Sequence, residues 1–207
     1  MTAILLLAAL AASADADAPL AQSLLRRLEE RQARAQDLTA RFVQSYRSGI
    51  LGREVVERGV VRLKRPGRML WEYKDPEKKT FVSDGSKYYF YVPADRQVVV
   101  RDQDDERGVA TRLLSGTGGL LRDFEARLDP APSEGVYRLR LTPRAADPEI
   151  EVLLLDVEPS GRLRGIQVED AQGNRSQFRF EDVRENTGLP DRLFRFEIPP
   201  GVEVVRG

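Results

Sequence analysis

The 207-residue chain reads as mainly β with a minor helical part. The expected architecture is an antiparallel sheet closing into a barrel or half-barrel, with an N-terminal helix and short helices within 107–128 as its cover. Three observations lead there. One stretch near the start repeats its leucines at helical spacing. From residue 38 onward the apolar period is mostly two, in short runs separated by turn signals. A glycine-punctuated stretch in the middle breaks that period and returns to helical spacing.

The elements follow in order. Residues 4–12 are an unbroken apolar run, followed by Ala12-Ser13-Ala14. That pattern reads as a secretory signal peptide, too short to span a bilayer, although no Lys or Arg precedes it. The expected division is a signal peptide over 1–14 and a single domain over 15–207. Residues 19–35 predict a helix: Pro19 suits a first turn, and Leu20, Leu24, Leu25 and Leu28 share one face. Strands are expected at 38–46, 54–65, 68–74, 79–83, 87–92 and 97–101, with Asp84-Gly85 as a hairpin signal. An acidic loop containing Asp104, Asp105 and Glu106 then leads into two short helices around a hinge of Gly116, Gly118 and Gly119. The second helix is placed on Leu120, Leu121, Phe124 and Leu128. Strands resume at 136–142, 149–157, 163–169, 176–183 and 194–198, and their alternating polar residues predict an outer face that meets water.

Composition removes many activities. There are 33 Lys+Arg against 33 Asp+Glu, which gives no reason to expect nucleic acid. There is no His and no Cys. Imidazole bases, Ser-His-Asp triads, thiolates, iron–sulfur sites and ordinary zinc sites are therefore excluded. Carboxylate, Lys or Tyr chemistry stays open, but Asp104, Asp105 and Glu106 lack calcium-loop spacing. No enzyme, no cofactor and no metal is expected. Bacterial lipoproteins need a Cys after the signal peptide, so the chain is expected to be soluble rather than anchored.

The apolar parity collects large side chains: Phe42, Tyr46, Leu63, Met69, Trp71, Tyr73, Phe81 and Phe90, with Phe178, Phe180, Phe194 and Phe196, are the expected interior. Both a filled core and a cavity under a thin lid fit the pattern. Arg65 stands out, because its parity matches Val61 and Leu63. A guanidinium facing an apolar interior needs acceptors, such as the free carbonyls at a helix C-terminus. Alternatively the strand twists at Pro66 and Arg65 reaches solvent.

The run Lys64-Arg65-Pro66-Gly67-Arg68-Met69-Leu70-Trp71-Glu72-Tyr73, with Phe42-Val43-Gln44 before it, resembles the LolA family of periplasmic lipoprotein carriers. Val82-Ser83-Asp84-Gly85, the aromatic run Tyr88–Tyr91, Phe194-Arg195-Phe196 and Pro199-Pro200-Gly201-Val202 extend the resemblance to the C-terminal end. It implies an incomplete antiparallel barrel with a helical lid over an apolar cavity, in a soluble periplasmic monomer. The implied cargo is acylated lipoproteins, taken from the inner-membrane transporter LolCDE and passed to the outer-membrane receptor LolB. Arg65 would lock the lid, and Leu113, Leu114, Leu120 and Leu121 would be lid residues. The same scaffold could instead carry general lipids or glycolipids.

Overall fold

The computed structural model describes the backbone of residues 5–102, 113–114, 119–147 and 150–206, and side chains from Asp17 onward. Helix α1 (Leu5–Arg34) is followed by β1 (Asp37–Arg47), β2 (Glu54–Lys64), β3 (Arg68–Asp75), β4 (Lys79–Asp84), β5 (Lys87–Val92) and β6 (Gln97–Asp102). Next come a single helical turn α2 (Leu120–Asp123), β7 (Phe124–Asp129), β8 (Tyr137–Pro143), β9 (Val152–Val157), β10 (Leu163–Glu169) and β11 (Arg175–Glu185). A 3₁₀ turn (Asp191–Phe194) and β12 (Glu203–Arg206) complete the chain.

The strands form one twelve-stranded sheet in the order β12-β6-β5-β4-β3-β2-β1-β11-β10-β9-β8-β7. Its ends, β12 and β7, do not meet, so the sheet is an open half-barrel. Pairing is antiparallel except β12 beside β6, which is parallel. One face buries Phe42, Val61, Met69 and Trp71 from one half of the sheet and Leu139, Leu141, Leu153, Leu155 and Ile166 from the other. Register sets this face: Phe42 lies opposite Gly59 on β2 and Phe180 on β11. A Cβ on Gly59 would meet the Phe42 ring at 2.7 Å and the Glu72 carbonyl oxygen at 2.1 Å, so only glycine lets the ring lie on the strand. Phe42 in turn meets Trp71 and Tyr73 edge-on, with centroids 5.0 and 4.9 Å away.

Helix α1 covers this face. Ala21, Leu24, Leu25 and Leu28 are buried in the same cluster as the sheet residues. The helix runs through the apolar N-terminal stretch. The expected cleavage site lies within it, and the side chains there are outside the described residues.

Several expectations change. Phe124 and Leu128 belong to strand β7 and not to a helix, with Phe124 opposite Pro143 and Leu128 opposite Leu139. Phe124, Ala126 and Leu128 also alternate with charged residues, and pairing with β8 satisfies that period as well as the backbone. Residues 194–198 are not a strand; the C-terminal strand is β12. The outer face is not uniformly wet. Phe194 packs with Leu70 and Val82 there, joined by Leu189, Leu193, Phe196 and Tyr89, so the C-terminal segment covers the convex side of β3–β5. The acidic loop at 104–106, the segment 109–112 and Gly116 and Gly118 lie outside the described residues.

Asp37 fastens that segment. Its buried carboxylate accepts from the Thr187 N–H (2.7 Å) and hydroxyl (2.9 Å), the Gly188 N–H (2.8 Å) and the Leu189 N–H (3.1 Å). Burial by itself raises the carboxyl pKa; these hydrogen bonds outweigh it and hold the group below the usual carboxylate range. The stabilisation is therefore complete above the unfolded value of about 4 and is lost as pH falls through the lowered native value. Asp37→Ala is expected to destabilise the fold by about 3 kcal/mol. It should also abolish the acid-induced loss of amide protection at Thr187–Leu189, read by hydrogen exchange.

Candidate functional site

The site is the concave face together with the helix that fills it. Four polar contacts hold α1 around the rim. Arg31 makes a two-pronged ion pair with Glu185, Nε to Oε1 at 2.8 Å and Nη2 to Oε2 at 2.7 Å. Arg27 Nη1 donates to the Pro159 carbonyl at 3.0 Å, in the β9–β10 turn. There Gly161, at φ 79°, sits so close that a Cβ would lie 2.5 Å from the Arg27 carbonyl oxygen. Glu29 accepts the Leu121 N–H of α2 at 3.2 Å. Arg65 Nε donates to the carbonyl of Ala35, one residue past α1, at 2.8 Å.

The parity of Arg65 therefore leads to a helix C-terminus, and the helix in question is α1. A carbonyl there has no intrahelical donor, and the guanidinium supplies one with charge of the favourable sign. Burial pushes the Arg65 pKa down from its ordinary value. The backbone is tied at the same place, with Arg65 N–H donating to the Gln36 carbonyl at 2.9 Å.

Beneath Arg65 lies a cavity of about 60 Å³, lined by Leu28, Leu38, Leu63, Leu114 and Leu163. Ligand pockets occupy roughly 300–1,000 Å³. Nothing of acyl size enters this space unless α1 or its neighbours move. A larger groove of about 510 Å³ runs between Gln22 and the β7 edge, but Asp17, Glu125, Arg127 and Arg144 wall it with charge.

Of the expected interior residues, Phe42, Leu63, Met69 and Trp71 are buried, and Tyr73 and Phe81 pack against them. Tyr46 is 42% exposed and Phe90 36% exposed. Both keep the concave parity: Tyr46 pairs with Val55, itself exposed, and Phe90 with Phe81. They lie where the covering helix does not shield them, which parity cannot show. Leu113, Leu114 and Leu120 are buried in the main cluster, with Leu121 packed against it. The α1 leucines Leu24, Leu25 and Leu28 belong to the cover as much as these do. Their spacing marked an apolar helix face, and the sheet's need for a cover pointed that face at the sheet. The polar row Gln44, Glu57 and Lys79 was also missed, although Gln44 and Glu57 share the strand parity of Phe42 and Leu63.

The fold and site together define an open-sheet protein whose apolar interior is stoppered by a helix on polar tethers. The chain belongs to the LolA family: the model of the outer membrane lipoprotein carrier protein LolA matches residues 33–197. An outer-membrane lipoprotein carrier protein of Chromohalobacter salexigens is 36% identical over 149 residues, 72% of this chain and 70% of that one. Its counterpart in Pseudomonas aeruginosa is 32% identical over 174 residues, 84% of this chain and 83% of the relative. The crystal structure of an uncharacterized conserved protein from Thermus thermophilus covers 90% of this chain and 99% of its own, with a TM-score of 0.56 at 16% identity. That likeness is one of fold.

If α1 is the stopper, its buried leucines hold the closed state. Leu25→Ala is expected to cost about 2–5 kcal/mol in denaturant unfolding. Leu20→Ala, at the exposed position, should change stability by less than about 0.5 kcal/mol.

Proposed function

We propose that this chain is a periplasmic carrier that binds the acyl chains of lipoproteins released from the inner membrane and delivers them to an outer-membrane receptor. The observation that carries this reading is the concave apolar face filled by α1, a face that another apolar body can occupy when the helix leaves. Membership of a family of lipoprotein carriers supplies the cargo class. The N-terminal apolar run with Ala12-Ser13-Ala14 supports export. No helix among the described residues is long and apolar enough to cross a membrane. The proposed partners are LolCDE as donor and LolB, or an equivalent receptor, as acceptor, with the carrier acting as a monomer and without catalysis.

The energetics explain why the cover is built this way. Each buried acyl methylene gains about 0.8 kcal/mol. Several chains taken up without opposition would bind too tightly to release. Here cargo competes with the protein's own leucines. Leu24, Leu25 and Leu28 leave the core on loading and return on unloading, which opposes binding by about 5–9 kcal/mol together. The Arg65 bond to Ala35 adds to the closed side of that balance, and this makes Arg65 the proposed lock.

Two outcomes are expected. Arg65→Leu should retain fluorescent triacylated lipopeptide and slow its transfer to the receptor roughly tenfold, the scale of one charge-assisted hydrogen bond; transfer at the normal rate would remove Arg65 from the mechanism. Mass spectrometry of material co-purified from the periplasm should show acylated protein. Free glycolipid alone would replace the lipoprotein reading with a general lipid carrier.

A further inference from the structure

The concave face is not apolar throughout. Its register forms transverse rows across β1–β4. Leu38, Leu63, Met69 and Ser83 make one row, and Ala40, Val61, Trp71 and Phe81 the next. The following row is Phe42, Gly59, Tyr73 and Lys79, and beyond it Gln44 pairs with Glu57. Outermost are the exposed Tyr46 and Val55. Two apolar rows therefore run from the Arg65 end into a polar belt, and the belt ends at an exposed apolar rim.

The belt is one connected unit. Lys79 Nζ lies 2.6 Å from Glu57 Oε1, and both side chains are largely buried, at 21% and 13% exposure. The same ammonium sits 4.5 Å from the centre of the Tyr73 ring. The Tyr73 hydroxyl donates to Gln44 Oε1 at 2.7 Å. Burial and then the Glu57 charge push the Tyr73 pKa up, so the phenol stays a donor. That bond turns the amide of Gln44 and leaves its NH₂ as the free end.

Such a pair adds little to stability. Two charges withdrawn from water lose hydration that their attraction barely returns, and apolar residues of like size would serve the core as well. What the belt does provide is donors at one fixed depth in an apolar trough. Acyl chains laid along the apolar rows end in ester and amide carbonyls, and an unpaired carbonyl in an apolar site costs free energy.

Building on the carrier reading, we infer that Lys79 and Gln44, held by Glu57 and Tyr73, form a binding site for the ester carbonyls at the head of acylated cargo. Cargo then lies with its chain ends toward Arg65 and its polypeptide leaving over Tyr46 and Val55.

The test compares a dipalmitoyl-thioglyceryl lipopeptide with its dihexadecyl ether analogue, which lacks the ester carbonyls. Wild type is expected to bind the ester about tenfold more tightly, the scale of one or two hydrogen bonds. The double variant Glu57→Met/Lys79→Met removes the charge pair without orphaning either charge and should unfold at a similar temperature. It and Gln44→Met should keep the ether affinity and lose most of the ester preference. Equal affinity of wild type for ester and ether overturns the site, as does an equal loss of both probes in folded variants. If wild type binds neither probe, the carrier reading itself fails.

Discussion

An open curved sheet has a concave face that must be covered, and the rest of this structure depends on how that is done. Among the described residues twelve strands bend without closing, and no second sheet lies over the trough. The main cover is α1, which inserts Ala21, Leu24, Leu25 and Leu28, with Leu113, Leu114 and Leu120 buried beside it. A helix is well suited to this, because its backbone hydrogen bonds are internal. It can leave the sheet as a unit without abandoning buried amides. A strand in the same place would have to break a ladder to move.

The polar contacts around α1 follow from the same constraint. Each joins the helix or its end to a different part of the rim: β11 through Glu185, the β9–β10 turn through Pro159, α2 through Leu121 and the β2–β3 turn through Arg65. The apolar core holds the helix down, and the tethers fix where it lies. The short stretch after α1 serves both faces of the sheet. Ala35 takes the Arg65 bond above the concave side, and two residues on Asp37 fastens the C-terminal segment that covers the convex side. This places the end of the helical cover beside the anchor of the convex side.

A carrier needs a binding surface that its own parts can reclaim. In this structure the α1 leucines occupy that surface, and the cavity beneath Arg65 holds about 60 Å³. The protein's leucines and the cargo's methylenes compete for one trough through the same hydrophobic driving force. The polar belt at Gln44, Tyr73, Glu57 and Lys79 adds direction to a surface that would otherwise hold a chain either way round.

Much of this was legible in the sequence. Period-two alternation and turn residues placed the first six strands, because a half-buried strand writes its two faces into successive residues. The absence of His and Cys is a matter of composition, and it removes imidazole and thiolate chemistry whatever the fold. The parity of Arg65 marked it as anomalous, and the run around Trp71 indicated the family. Other features depended on contacts far apart in the chain. Phe124 and Leu128 fit helix and strand equally, and β8 decided between them. Phe194 was plainly apolar, but only the path of the C-terminal segment put it on the convex face. Tyr46 and Phe90 have interior parity yet remain exposed, since parity names a face and not what covers it. The sequence by itself determined which residues could be interior, because that is a local property of side chain and period. The tertiary structure decided how far each cover reaches, with α1 and Leu113, Leu114 and Leu120 in the main cluster and Tyr46 and Phe90 left exposed, because burial against a distant surface depends on what the folded chain brings there.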